Sequence, residues 1–107
     1  MIKYILLFIC TGFLFSDGIV ETGSFYSESL GENRNYTIYL PEGYYESDVE
    51  YPVVYFLHGF GGTNNSYNAF HSSLNSMIAN GSIMEMIVVS ADGSTDVYEG
   101  SFYTNSI

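Results

Sequence analysis

Tyr51-Pro52-Val53-Val54-Tyr55-Phe56-Leu57-His58-Gly59-Phe60-Gly61-Gly62 decides how the chain folds. Val53 to Leu57 is a continuous apolar run of β-branched and aromatic residues, the pattern of a parallel strand covered on both faces and lying mid-sheet. Pro52 has no N–H to donate, so it belongs at the strand's start. His58 to Gly62 then leaves the strand's carboxyl end, the end at which open α/β sheets bind ligands.

Downstream, Asn64-Asn65-Ser66 supplies side chains suited to cap a helix, and Phe70, Leu74, Met77 and Ile78 follow at helical spacing on one face. Asn80-Gly81 is a helix stop. Met86 to Val89 reads as the next buried strand, with Ser90-Ala91-Asp92-Gly93 leaving its carboxyl end beside the glycine turn. Strand, helix, strand in this order predicts a right-handed parallel crossover. Upstream, Gly23 to Leu30 and Arg34 to Leu40 read as two strands joined by a hairpin loop at Gly31-Glu32-Asn33. Tyr36, Ile38 and Leu40 alternate with Thr37 and Tyr39, which fits an antiparallel edge with two different faces. Pro41 to Glu50 reads as a surface connection without a function. The expected class is α/β, an antiparallel edge hairpin followed by a parallel strand-helix-strand unit.

Three glycines in four positions, Gly59, Gly61 and Gly62, leave backbone N–H groups uncovered. Such a turn can present donors to an oxygen that becomes charged when a nucleophile attacks a carbonyl, and each well-placed donor contributes roughly 3 kcal/mol to that step. The residues also carry a family resemblance. Y-P-V-V-Y-F-L-H-G-F-G-G resembles the first core strand and oxyanion loop of the esterase D-like group of α/β-hydrolases, which includes feruloyl and acetylxylan esterases, S-formylglutathione hydrolases and mycolyltransferases. Tyr36-Thr37-Ile38-Tyr39-Leu40-Pro41-Glu42-Gly43-Tyr44 is similar to that group's approach to the core. Ile78 to Ile83, Met86 to Val89, Asp92-Gly93 and Ser101 to Ser106 follow in the group's order.

The resemblance implies the N-terminal portion of an α/β-hydrolase fold, incomplete at 107 residues because the group's domains are well over twice as long. Its catalytic serine sits on a G-x-S-x-G elbow, followed in the chain by the acid and the histidine. Gly23-Ser24, Gly81-Ser82, Gly93-Ser94 and Gly100-Ser101 do not lie in such a pentad, so nucleophile, acid and catalytic histidine are expected beyond Ile107. Carried over by position, the Phe60 backbone N–H is an oxyanion donor, Gly59 and Gly61 complete the oxyanion loop, and the Phe60 ring lines the substrate pocket. His58 precedes the loop whereas the group's catalytic histidine comes late, so His58 and Gly62 are assigned to holding the loop's shape. His71, one step off the apolar helix face, is expected to be solvated.

The implied function is a secreted serine carboxylic-ester hydrolase of feruloyl- or acetyl-esterase type, needing no cofactor and no metal. Its substrate is a small ester or an ester linked to polysaccharide, and residues 1–107 alone hold only the oxyanion half. Two readings from other classes stand beside it: a non-catalytic secreted carbohydrate-binding module using the many tyrosines, and an inactive truncated fragment.

Export is read from the leader. Met1-Ile2-Lys3 is a minimal positive start, and Tyr4 to Phe15 is an apolar stretch of signal-peptide length, too short to span a bilayer. A cut after Ser16 or Gly18 is expected; residues 1–18 are read as the leader and 19–107 as the esterase portion, in an extracellular or periplasmic setting. An uncleaved anchor, or lipidation at Cys10, is the alternative. Cys10 is the sole cysteine, so the mature part forms no internal disulfide. Two basic residues against twelve acids give a net charge of −10, which repels phosphate backbones and anionic lipid headgroups and excludes nucleic acid and membrane surfaces as partners. Asp92-Gly93-Ser94-Thr95-Asp96 lacks the alternating ligands of a calcium loop and reads as a turn. Asn35, Asn64 and Asn80 head glycosylation sequons that matter only in a eukaryotic secretory path.

Overall fold

A computed structural model describes residues 17–66 and 69–94. The leader up to Ser16 and the stretch Ser101 to Ser106 therefore lie outside the described residues. Strands β1 (Ile19–Ser27), β2 (Glu32–Leu40), β3 (Val53–Leu57) and β4 (Ile87–Ala91) form one sheet in the order β1-β2-β4-β3, and helix α1 (Phe70–Ala79) connects β3 to β4. The hairpin partners β1 and β2 are antiparallel, as are β2 and β4, whereas β3 and β4 run parallel.

The hairpin begins earlier than its alternation suggests. Strand β1 starts at Ile19, and Glu32 and Asn33 are paired residues of β2 opposite Ser27 and Tyr26. The reversal falls on residues 28–31, closed by Gly31 N–H donating to the Ser27 carbonyl at 2.8 Å with Gly31 at φ 68°. Only that glycine tolerates a positive φ without strain, so it sets the turn and shifts the loop towards β1.

Register assigns the faces. Val20, Thr37, Tyr39, Val88 and Ser90 point towards α1. Across the parallel pair, Phe56 lies opposite Ser90, and its ring meets Phe70 of α1 edge-on with centroids 4.6 Å apart. A contact of this geometry contributes about 1 kcal/mol beyond the area it buries. Tyr39, Leu40 and Val88 are buried, and Pro41 is enclosed completely. The gap between helix and sheet holds a cavity of only ≈ 30 Å³, room for a water or two and too small for a substrate.

Strand β3 departs from its expected place. It is an edge strand among the described residues, paired only with β4, and α1 meets it at the Phe56–Phe70 contact while Val54 on the same face stays exposed. Tyr55 is 72% exposed and Leu57 57%, on the face opposite the helix. The inner strands are β2 and β4, with β4 held between β2 and β3. Pro52 does stand just before the strand, where its carbonyl accepts from Ile87 N–H at 2.9 Å.

Helix α1 also starts later than its capping residues suggest. Its N-cap is Ala69, with no side-chain cap, while Thr63 to Ser66 close a turn of their own: Ser66 Oγ accepts from Thr63 N–H at 2.7 Å, and Ser66 N–H donates to the Thr63 carbonyl at 3.1 Å. Asn64 instead turns inward, buried, with its amide donating to Thr37 Oγ1. The C-terminus follows the sequence: Gly81 N–H bonds the Ile78 carbonyl and Ser82 N–H the Met77 carbonyl, with Gly81 at φ 77°. That pair of bonds is the Schellman stop.

Asn75 ties the helix to the hairpin. Its Oδ1 accepts from Tyr39 Oη at 2.8 Å and from Gly18 N–H at 3.0 Å. Burial raises the Tyr39 hydroxyl above its ordinary pKa of 10.0, and the charges of Asp17 and Glu85 raise it further. A raised acid favours the folded state below the unfolded value of 10.0 and loses that advantage as pH climbs through the folded value. Stability is thus expected to fall above pH 10 in the wild type, measured by denaturant midpoint. Tyr39→Phe should lower stability by about 1 kcal/mol at neutral pH and flatten the alkaline slope.

The connection between β2 and β3 is more ordered than a plain surface loop. A 3₁₀ turn at Tyr44–Glu46 places the Tyr44 ring edge-on to Tyr45 and near Tyr51, with centroids 5.2 and 6.0 Å apart. The Tyr45 hydroxyl donates to the Glu21 carboxylate at 2.8 Å. That bond raises its pKa, and slight burial and the Glu21 charge push the same way.

Candidate oxyanion-loop site

The parallel pair β3 and β4 delivers its two trailing loops to the same end of the sheet. Gly59 to Gly62 is a four-residue turn in which Gly62 N–H donates to the Gly59 carbonyl at 3.0 Å. Phe60 and Gly61 are its central residues, and Gly61 sits at φ 79°. A positive φ at the third position is the signature of a type II turn, which is why glycine stands there. Gly62 is required for a different reason. A Cβ on it would lie 2.7 Å from Ser66 Oγ, 2.9 Å from His58 Nδ1 and 3.0 Å from the Gly59 carbonyl oxygen. Gly59 has open space where its Cβ would be, so its place in the motif does not come from crowding. The Phe60 side chain is 73% exposed at the tip of the turn.

His58 joins the two loops. Its side chain is fully buried, and both ring nitrogens are engaged. Nε2 accepts from Gly93 N–H at 2.9 Å, so it carries no proton; the proton is on Nδ1, which donates to the Gly59 carbonyl at 2.8 Å. The imidazole is thereby a neutral bridge from the glycine turn to the loop after β4. Asp92 Oδ1 stands 3.9 Å from Nε2 but accepts instead from Ser94 N–H at 2.8 Å, which closes the start of that loop as a turn. Asp96 lies outside the described residues. His71 is exposed in the first turn of α1.

The structure thus brings His58, Gly59, Phe60, Gly61 and Gly62 together with Asp92, Gly93 and Ser94. Sequence reasoning did not anticipate two anchors of this assembly. Arg34 Nη1 donates to the Ser94 carbonyl, and the Asn35 carbonyl accepts from Asp92 N–H at 2.9 Å. That Arg34 is one of only two basic residues in so acidic a chain was the available signal for the first. The second is a backbone contact that leaves no mark in the sequence.

The comparisons with known proteins agree with this architecture. Residues 27–105 match the family described as "Putative esterase". The endo-1,4-beta-xylanase/feruloyl esterase of Xylanibacter ruminicola is 33% identical over 89 residues, which cover 77% of this chain and 12% of that protein. Among solved structures, a ferulic acid esterase superposes with a TM-score of 0.69 at 30% identity, over 72% of this chain and 31% of its own. A ferulic acid esterase of the anaerobic fungus Anaeromyces mucronatus superposes with a TM-score of 0.65 at 27% identity, over 74% of this chain and 30% of its own. The chain therefore spans under a third of the length of each of these relatives. An order of β1-β2-β4-β3 with a glycine turn after β3, and a family match across most of the chain, lead to one conclusion: this chain belongs to the esterase family of α/β-hydrolases.

Proposed function

We propose that the chain supplies the oxyanion loop of a secreted serine carboxylic-ester hydrolase acting on feruloyl or acetyl esters of plant polysaccharide. The observation that carries this reading is the Gly59–Gly62 turn, fixed at the carboxyl end of β3 by its own hydrogen bond and by His58. In this mechanism a serine outside these residues attacks the ester carbonyl, and a histidine and acid move its proton. The Phe60 N–H and the N–H following that serine meet the oxygen as it gains charge. The Phe60 ring, exposed at the turn's tip, would line the pocket for the acyl group. His58 and Gly62 keep the turn in shape and exchange no proton with substrate. The substrate class follows from the relatives named for feruloyl esters and from the leader, since an exported enzyme meets polymer-linked esters. A leader cut after Ser16 would keep the Gly18 N–H bond to Asn75, whereas a cut after Gly18 would remove it.

The test uses the whole protein from its natural source, incubated with methyl ferulate, 4-nitrophenyl acetate and a fluorophosphonate probe. Turnover of at least one ester, together with covalent labelling of one serine that abolishes it, is the expected result. Binding of arabinoxylan without turnover or labelling would overturn the proposal in favour of a binding module.

A further inference from the structure

Arg34 is the only lysine or arginine among the described residues, and its side chain turns inward, pairing with Glu32 while reaching the loop after β4. Its side chain is 14% exposed. Nη1 donates to the Ser94 carbonyl and Nη2 to Glu32 Oε1, while Nε is buried without an acceptor. An enclosed guanidinium with an unmet N–H is costly. A pair with Glu32, itself partly in solvent, would form as well with the arginine lying along the surface. What the inward reach adds is a hold on residues 92–94.

That turn is pinned to β2 twice, by Arg34 on the Ser94 carbonyl and by the Asn35 carbonyl on Asp92 N–H, and it is closed internally by Asp92 and Ser94. Its middle residue then presents Gly93 N–H to His58 Nε2, and His58 Nδ1 reaches the Gly59 carbonyl. Hydrogen bonds at either end, joined through the backbone of Gly93 and Ser94, connect the guanidinium to the glycine turn. We propose that Arg34 is a positioning residue for the oxyanion loop, acting through Ser94, Gly93 and His58 on the Gly59–Gly62 turn. The inference rests on the esterase reading above. Arg34 touches no reacting atom; it sets where the Phe60 N–H points by fixing the loop against which His58 is braced.

The experiment compares wild-type whole protein with Arg34→Met, Arg34→Lys and Glu32→Gln, using 4-nitrophenyl acetate and counting competent sites with a fluorophosphonate. Because the loop acts on the charged oxygen and not on the ground-state ester, Arg34→Met should lower kcat per titrated site about tenfold or more, with KM within about twofold. Lysine should recover part of the loss, and Glu32→Gln should stay within about twofold of wild type. In a His58→Asn background, Arg34→Met should add little, since the series is already broken. Should Arg34→Met fail to fold, amide exchange of residues 59–62 in Arg34→Lys decides, with faster exchange expected. Unchanged kcat per site, multiplicative losses with His58→Asn, or unchanged exchange would each overturn the inference and leave the esterase reading standing. A wild type that turns over no ester would bring down both.

Discussion

Gly62→Ala is expected to reduce kcat of the whole esterase by about a hundredfold while leaving most of the molecule folded. The added methyl would stand 2.7 Å from Ser66 Oγ, a side chain that can rotate away at the cost of its bond to Thr63 N–H. Two other contacts cannot yield so easily. His58 Nδ1 at 2.9 Å belongs to a ring held at both nitrogens, and the Gly59 carbonyl oxygen at 3.0 Å is backbone. Relief requires the turn itself to open, which breaks the Gly62 N–H bond to Gly59 and rotates the peptide between Gly59 and Phe60. The loss should appear in kcat and in affinity for a boronic acid that mimics the tetrahedral state, with KM little changed. Gly59→Ala is the informative comparison, because open space awaits its Cβ. A Gly62→Ala enzyme with wild-type kcat would show that the turn is not the oxyanion loop.

Residues 1–107 expressed alone are expected to give no ester turnover above buffer, with 4-nitrophenyl acetate as the readout. The sequence contains no G-x-S-x-G pentad, and without a nucleophile the proposed oxyanion donors have no attack on a carbonyl to assist. The same preparation should bind a hydrophobic dye and associate at micromolar concentration. Val53, Tyr55 and Leu57 are exposed on one sheet face, and β3 is an edge strand among the described residues. Serine-dependent hydrolysis by the isolated chain would displace the proposed site altogether.

Where the sequence was legible, local chemistry and tertiary demand coincided. The apolar run of β3, the Asn80-Gly81 stop and the alternation of β2 each state a preference that the fold accepts. The departures have identifiable causes. Asn64 and Ser66 have capping side chains, but nearer partners claim them: Thr37 takes the amide of Asn64, and Thr63 takes the Ser66 hydroxyl. The helix therefore starts at Phe70, where the ring finds Phe56. Strand β3 reads as doubly covered because its composition reflects the burial intended for it, whereas the described residues provide a single helix and one neighbouring strand. At the site, glycine spacing announces a turn, yet it cannot reveal which glycine is crowded; Gly62 and Gly59 look equivalent in sequence and differ completely in space. The Arg34 series links residues 35 and 60 positions apart along the chain, and no periodicity reports such a path.

The doubly bonded Gly59 carbonyl has an electronic consequence. That oxygen accepts from both Gly62 N–H and His58 Nδ1–H. The carbonyl of Gly59 and the N–H of Phe60 belong to one peptide unit, whose resonance couples them. Two donors on the oxygen draw electron density out of the amide nitrogen and leave the Phe60 hydrogen more positive, an effect of order 10–30% per bond in hydrogen-bond strength. His58 thus does more than hold a shape: it polarises the Phe60 amide, the donor that the proposed function would turn towards an ester oxygen.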